Sequence, residues 1–314
     1  MSALDRPVVR VGGFAVGLVA LFALALGAGS VWGPSVAAPD TADDAMGHDA
    51  MTGETSEETA GAGHDAGGGH LPGGLMRSQD GYTLDLAATT ADAGQDVRLS
   101  LTITGPDGHA LGTAVAYDVE HDKRLHLIVV RRDLTGFQHV HPELGDDGRW
   151  TVDVDLEPGA WRVFADFKAA DGPALTLGTD LTVPGEVEAV QPVAESVRTS
   201  SVDGYDVSLA GDLVAGTGSD LTLTVTRDGE PVTDLQPYLG AFGHLVALRE
   251  GDLAYLHVHP HQEGRQGASG GPEIEFTAEV PSAGRYRLFL DFKAGGVVRT
   301  ATLDLEAGGG HGHD

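Results

Sequence analysis

The chain has 314 residues, no cysteine and a formal net charge of −28 at pH 7. The length suffices for two domains, and 41% hydrophobic residues is ordinary for a protein with packed cores. The acidity argues against binding to nucleic acid or anionic lipid, and the missing cysteines exclude disulfides, thiolate metal sites and cysteine nucleophiles.

The first segment, residues 1–38, is predicted to be a signal anchor with a transmembrane helix. Arg6 and Arg10 precede an uncharged apolar run over 11–31, which is long enough to cross a bilayer. The arginines favour a cytoplasmic N-terminus, so the rest of the chain is predicted to lie outside the cytoplasm. Small residues over 35–38 leave open a signal peptide cleaved after Ala38, in which case the protein is secreted.

Two polar segments are predicted to flank the folded part of the chain. Residues 39–80 are rich in Gly, Ala, Asp and Thr and are predicted to form a disordered tether. Residues 308–314 form a second polar tail. Both carry side chains that can bind metal: Met46, His48, Met51, His64 and His70 in the tether, and His311 and His313 in the tail.

Between these segments the sequence repeats itself, which predicts two domains at 81–185 and 203–307, joined by a linker at 186–202. WRVFADFKA (161–169) matches YRLFLDFKA (286–294) at six of nine positions. The other matching segments follow the same order in both copies. A duplicated domain therefore accounts for most of the chain.

Each copy contains about seven short runs of alternating apolar and polar residues, separated by turn signals. Apart from the apolar segment near the N-terminus, no stretch carries a helical period. The predicted fold is all-β, with two tandem immunoglobulin-like β-sandwich domains after the transmembrane helix and the tether. Trp161 and Tyr286 each open a late strand and are predicted to be core residues.

The most specific motif is His-Val-His-Pro, which occurs once in each copy. It stands in FQHVHPEL (137–144) and in YLHVHPHQ (255–262). Another histidine, His126 or His244, lies thirteen residues before the first histidine of each motif. Side chains i and i+2 of a strand share a face about 7 Å apart, so each pair can direct two imidazoles at one metal ion.

An aspartate in the DFK strand of each copy extends this pattern. Its position in an apolar strand is costly unless it is paired, so it is predicted to be a fourth ligand or the acceptor that orients a ligating imidazole. An ion pair with Lys168 or Lys293 remains an alternative. The candidate metal ligands are His126, His139, His141 and Asp166 in the first copy, and His244, His257, His259 and Asp291 in the second. His109 and His121 lie outside the repeated set and are predicted to be surface residues.

The ligand types indicate which metal to expect. Imidazole with carboxylate suits copper(II), zinc or nickel, and intrinsic affinity favours copper. Met46 and Met51 flank His48 in the tether and add soft thioether ligands suited to copper(I). Copper is therefore the predicted ion, with zinc as the alternative.

Two resemblances bear on function. The HVHP motifs, the upstream histidines and the DFK strands resemble those of bacterial membrane-anchored, extracytoplasmic β-sandwich proteins associated with copper or heavy-metal handling. GFQHVHPELGDDG (136–148) is similar to the copper-ligand strand of copper–zinc superoxide dismutases. The chain lacks the cysteine and the zinc loop of those enzymes.

Together these features predict a non-enzymatic, membrane-anchored extracytoplasmic protein that binds copper at one site per repeat. One alternative is a structural or protein-interaction module of the cell envelope, whose histidines bond to backbone groups without metal. Another is a copper redox enzyme of superoxide dismutase type. The expected partners are metal ions, the membrane through the N-terminal helix and an envelope protein, with no nucleic acid.

Overall fold

The computed structural model describes residues 72–187, 195–258 and 260–309, apart from the side chain of His257. The predicted transmembrane segment, most of the predicted tether and the histidines of the C-terminal tail lie outside the described residues. Within the described ranges, no helix has the length and apolar character needed to cross a membrane.

The first repeat is a sandwich of two antiparallel sheets. Its strands are β1 (Ser78–Gln79), β2 (Tyr82–Leu86), β3 (Gly94–Thr104), β4 (His126–Arg131), β5 (Gln138–Val140), β6 (Glu143–Leu144), β7 (Trp150–Leu156), β8 (Gly159–Lys168) and β9 (Ala174–Val183), with a short 3-10 turn at Ala114–Ala116. One sheet has the order β1-β2-β3-β7-β6, and the other has the order β5-β4-β8-β9.

The second repeat is also a sandwich of two sheets. Its strands are β10 (Thr199–Val202), β11 (Tyr205–Ala210), β12 (Leu213–Val214), β13 (Gly218–Arg227), β14 (Glu230–Pro231), β15 (Gly243–Arg249), β16 (Tyr255–Val258), β17 (Glu273–Glu279), β18 (Gly284–Ala294) and β19 (Val297–Gly308). One sheet has the order β10-β11-β13-β14 with β17 also on β13, and the other has the order β12-β19-β18-β15-β16. The sheets are antiparallel except for the short parallel pair of β12 and β19. This two-sheet arrangement confirms the all-β class and the tandem immunoglobulin-like sandwiches.

Each sandwich has its own core, built from alternate residues of its strands. Trp161 of β8 and Tyr286 of β18 lie in these two cores, as predicted. The Trp161 indole donates to the Glu157 carbonyl at 2.9 Å, and the Tyr286 hydroxyl donates to the Ser282 carbonyl at 3.0 Å. The two aromatic residues therefore close equivalent corners at the start of equivalent strands.

A third apolar cluster joins the two repeats. It consists of Ile128, Val130, Leu134, Phe164, Val246, Leu248, Leu253, Tyr255 and Phe289, with Phe137 packed against it. Phe137 stacks on Phe289 with ring centroids 3.9 Å apart, and the equivalent pair of Phe164 and Tyr255 lies at 5.3 Å. The outer faces of sheets β5-β4-β8-β9 and β12-β19-β18-β15-β16 therefore pack against each other. This second buried face explains why β4 and β15 are nearly continuous apolar runs.

The folded part of the chain begins earlier than predicted, because the last residues of the predicted tether (39–80) pack against both repeats. The Tyr255 amide donates to the Gly73 carbonyl at 2.9 Å, and the Gly74 amide donates to the Thr176 carbonyl at 2.8 Å. Arg162 Nη2 donates to the Gly74 carbonyl at 2.6 Å. Residues 73 and 74 thus bridge both repeats through backbone hydrogen bonds that composition does not reveal. The predicted linker likewise contains a paired strand, β10.

Candidate metal centre

Three predicted ligands of the first repeat meet at one point. His126 Nδ1 lies 3.0 Å from His139 Nε2 and 3.2 Å from His141 Nε2. One ligand atom from each of the three residues lies within 4.8 Å of the others. Metal–nitrogen bonds of about 2.0–2.1 Å at tetrahedral angles would separate such nitrogens by about 3.3 Å. The spacing therefore fits an ion of the size of zinc or copper.

The sheet register brings these side chains together. In the antiparallel pair of β4 and β5, Ile128 lies opposite His139. Because side chains alternate between faces, His126, His139 and His141 share the face of Ile128. That face is the one that packs against the second repeat. The triad therefore lies at the edge of the contact between the repeats.

Two imidazoles are held in the tautomer that ligation requires. His126 Nε2 lies 3.2 Å from the Glu120 carbonyl oxygen, which can only accept, so Nε2 donates and Nδ1 keeps its lone pair. His139 Nδ1 lies 2.8 Å from Asp291 Oδ2, and donation to this carboxylate leaves the lone pair on Nε2. In both rings, the inner nitrogen faces the other histidines and the outer nitrogen donates the hydrogen bond. A ligating histidine usually donates from its outer nitrogen to a carbonyl or carboxylate in this way.

The third imidazole is also suited to ligation. Burial, reinforced by the neighbouring His139 and His126, lowers the pKa of His141 to about 2. The ring is therefore neutral near pH 7, so its Nε2 can offer a lone pair to a cation.

The two aspartates differ from the predicted arrangement. Asp166 lies opposite His126 in the sheet, but its carboxylate accepts hydrogen bonds from Thr176 at 3.0 Å and Tyr255 at 3.3 Å and lies outside the converging group. Asp291, predicted for the second site, contacts His139 of the first. Both aspartates point outward from their own sheets, and those sheets face each other, so each carboxylate reaches the opposite repeat.

In the first copy, Lys168 pairs with a different carboxylate from the one predicted as the alternative. Lys168 Nζ lies 3.1 Å from Asp118, an exposed carboxylate, rather than pairing with Asp166. Burial, together with the Asp166 charge, raises the pKa of Tyr255 well above its ordinary value. The Tyr255 hydroxyl therefore stays protonated and donates to Asp166.

The second predicted set is described only in part. His244 lies opposite Asp291 in the sheet, and its Nε2 donates to the Tyr238 carbonyl at 2.8 Å. This repeats the bond from His126 to Glu120, since each carbonyl lies six residues before its histidine. His257 lies opposite Val246 in β16, but its side chain and the whole of His259 are outside the described residues. A second converging site therefore remains a prediction.

Two residues near the triad were not identified from the sequence. The His121 ring lies 5.3 Å from that of His244 and 6.1 Å from that of His126. His121, which was predicted to be a surface residue, is partly buried. The Tyr238 ring lies 6.2 Å from His141 and 5.9 Å from His244. Both residues precede a histidine strand in a loop, where sequence periodicity gives no signal. His109 is exposed, as predicted.

A family model described as Domain of unknown function (DUF8832) matches the chain twice, over residues 77–185 and 200–309. The chain belongs to this family. The two matches coincide with the two sandwiches, so each repeat is one DUF8832 domain. No curated protein matches the chain in sequence.

Several solved structures are similar to the chain at low identity. A DUF4426 family protein of Pseudomonas aeruginosa is 11% identical over 34% of this chain and 94% of that one, with a TM-score of 0.26. The FdeC adhesin of Escherichia coli is 16% identical over 74% of this chain and 65% of that one, with a TM-score of 0.23. A putative membrane-anchored protein of Corynebacterium diphtheriae is 10% identical over 74% and 60%, with a TM-score of 0.22. The chain spans less than two thirds of the last two, and TM-scores this low carry no argument about function.

Proposed function

We propose that this DUF8832 protein binds a transition-metal ion through His126, His139 and His141, without catalysis. The observation that supports this most directly is the separation of 3.0 and 3.2 Å between the ligand nitrogens. Two outer hydrogen bonds, to Glu120 and Asp291, already orient two of the rings. Such support is typical of histidines that hold metals.

The hydrogen bonding of the triad favours an ion over a purely structural role. With the outer nitrogens of His126 and His139 acting as donors, their inner nitrogens are both acceptors, yet they lie 3.0 Å apart. Two acceptor nitrogens cannot hydrogen-bond to each other. A bound cation satisfies both lone pairs at once.

Copper is the ion that we propose first, and zinc is the alternative. Imidazole sites accept both ions, and divalent copper binds a given nitrogen site more tightly than zinc. Met46, His48 and Met51 of the tether offer thioether and imidazole groups that would collect copper before it reaches the sandwich.

Titration calorimetry of the full chain with copper(II) and with zinc tests this proposal. Replacing both His139 and His141 by alanine should weaken the tightest site by roughly 100-fold or more, because two of three ligands are lost. His109→Ala is the matched control, since it removes an exposed histidine distant in sequence from the motif. Equal affinity in the wild type and the double variant would overturn the proposal.

A structural module of the cell envelope is the second candidate, and the hydrogen bond between His139 and Asp291 favours it. That bond joins the two repeats directly, whether or not a metal is bound. In this case, replacing His139 by alanine should lower the melting temperature equally with and without chelator. A metal site instead predicts that the loss is larger when metal is present.

We also propose that the protein is anchored in the membrane with its sandwiches outside the cytoplasm and a protein partner in the envelope. The apolar run at 11–31, which follows Arg6 and Arg10, supports this location. Protease treatment of intact spheroplasts should digest the sandwich domains. Protection equal to that of a cytoplasmic marker would contradict the proposed location.

A further inference from the structure

The support behind the triad of the first repeat comes from the second repeat. Asp291 Oδ2 accepts from His139 Nδ1 at 2.8 Å, and the two side chains are only 5% and 3% exposed. Asp291 Oδ1 accepts from the Thr300 hydroxyl at 2.6 Å. The carboxylate is thus fixed within its own sheet by one oxygen, and it orients a ring of the other repeat with the second oxygen.

This polar contact continues the apolar contact between the repeats. Phe137 lies two residues before His139, and Phe289 lies two residues before Asp291, so each pair shares one face of its strand. The two phenylalanine rings stack at 3.9 Å with an interplanar angle of 6°. A change in the packing of these rings would therefore also move Asp291 relative to His139.

We infer that Asp291 is a positioning residue, through which the metal affinity of the first-repeat triad depends on the docking of the second repeat. The inference rests on the proposed metal-binding function. By linkage, a metal that binds more tightly to the docked form must stabilise docking by the same factor. The second repeat then regulates the site through a residue that orients one of its ligands.

The equivalent aspartate of the first repeat, Asp166, also bonds across to the other repeat. Asp166 accepts from Thr176, which corresponds to Thr300, and from the Tyr255 hydroxyl of the second repeat. Tyr255 occupies the place that Phe137 has in the first motif, and Phe137 has no hydroxyl. Asp166 thus has a tyrosine hydroxyl donor that Phe137 cannot supply to Asp291, and Asp291 is the carboxylate bonded to the triad histidine His139.

The test measures zinc affinity by competition with a chelator in the full chain. The relevant zinc site is the one that His139→Ala removes. Asp291→Ala should weaken zinc binding at this site by about 10–100-fold, the usual effect of removing the hydrogen-bond partner of a ligating histidine. Asp291→Asn should lie between Asp291→Ala and the wild type, because its amide oxygen can still accept from His139. Asp304→Asn is the matched control: Asp304 is also buried, but it pairs with Arg287. This control should bind zinc as the wild type does.

A double-mutant cycle with Phe289→Ala separates positioning from general loss of structure. Phe289→Ala should weaken zinc binding when Asp291 is present and have a smaller effect in the Asp291→Ala background, because both changes then remove the same support. Fold-changes that simply multiply would overturn the inference.

The outcomes distinguish this inference from the proposed function. If Asp291→Ala and Asp291→Asn bind zinc like the wild type while His139→Ala does not, the inference is wrong and the metal site stands. If His139→Ala also binds like the wild type, both fail. If Asp291→Ala does not fold, the near-isosteric Asp291→Asn decides the question.

Discussion

Phe289→Ala should destabilise the protein substantially, because its ring holds the two repeats together. The ring is 2% exposed and belongs to the apolar cluster between the sandwiches rather than to either core. Truncation of a buried phenylalanine to alanine costs about 3–5 kcal/mol, and the lost stack on Phe137 contributes about 0.5–1.5 kcal/mol of that. We therefore expect the free energy of unfolding to fall by about 3 kcal/mol or more.

Urea denaturation followed by circular dichroism and tryptophan fluorescence measures this change. A chelator is present throughout, so that metal binding does not contribute. Val297→Ala is the control, since Val297 is 50% exposed; its replacement should change stability by less than about 0.5 kcal/mol. A cost below about 1 kcal/mol for Phe289→Ala would refute the packing of the two repeats through these faces.

Three further predictions concern the bridging segment, pH and metal. A Cβ at Gly178 would lie 2.0 Å from the Gly74 carbonyl oxygen, so Gly178→Ala should cost about 1–3 kcal/mol in thermal unfolding, whereas Gly308→Ala, with open space around it, should cost far less. The pKa of His141 is about 2 in the folded protein, whereas its ordinary value is 6.5. At a pH between these two values, His141 carries a proton in the unfolded chain but not in the folded protein. Stability with chelator should therefore fall as pH drops below 6.5, by up to about 1.4 kcal/mol per pH unit, and His141→Gln should reduce that slope in urea titrations at several pH values. Zinc at about 100 times its dissociation constant should add about 2.7 kcal/mol of stability to the wild type and much less to His139→Ala in differential scanning calorimetry. A flat pH profile or equal zinc stabilisation would contradict the last two expectations.

The sequence predicted the fold class because alternation in a strand is a local property. The parity of β8 separates Trp161, in the core of its sandwich, from Phe164, on the outer face, and both lie as the pattern predicts. A continuous apolar run such as the one that follows His126 is typical of a strand buried on both faces. What covers its outer face could not be read from the sequence, because that depends on packing between segments more than a hundred residues apart.

The candidate site was predictable in its histidines and not in its carboxylates. His139 and His141 share a face by strand geometry alone, and His126 joins them through the pairing of β4 with β5. Asp291 reaches His139 only because two sheets meet face to face, which no spacing within one repeat encodes. The position of His121 near the triad was missed for a similar reason, since its neighbour His244 belongs to the other repeat.

X-ray absorption at the metal edge tests the central claim most directly. The full chain, loaded with one equivalent of zinc or copper, should show three imidazoles with metal–nitrogen distances of about 2.0–2.1 Å. The variant with His139 and His141 replaced by alanine should lose that imidazole signature. A shell dominated by oxygen, or an imidazole count that is the same in wild type and variant, would contradict binding at His126, His139 and His141.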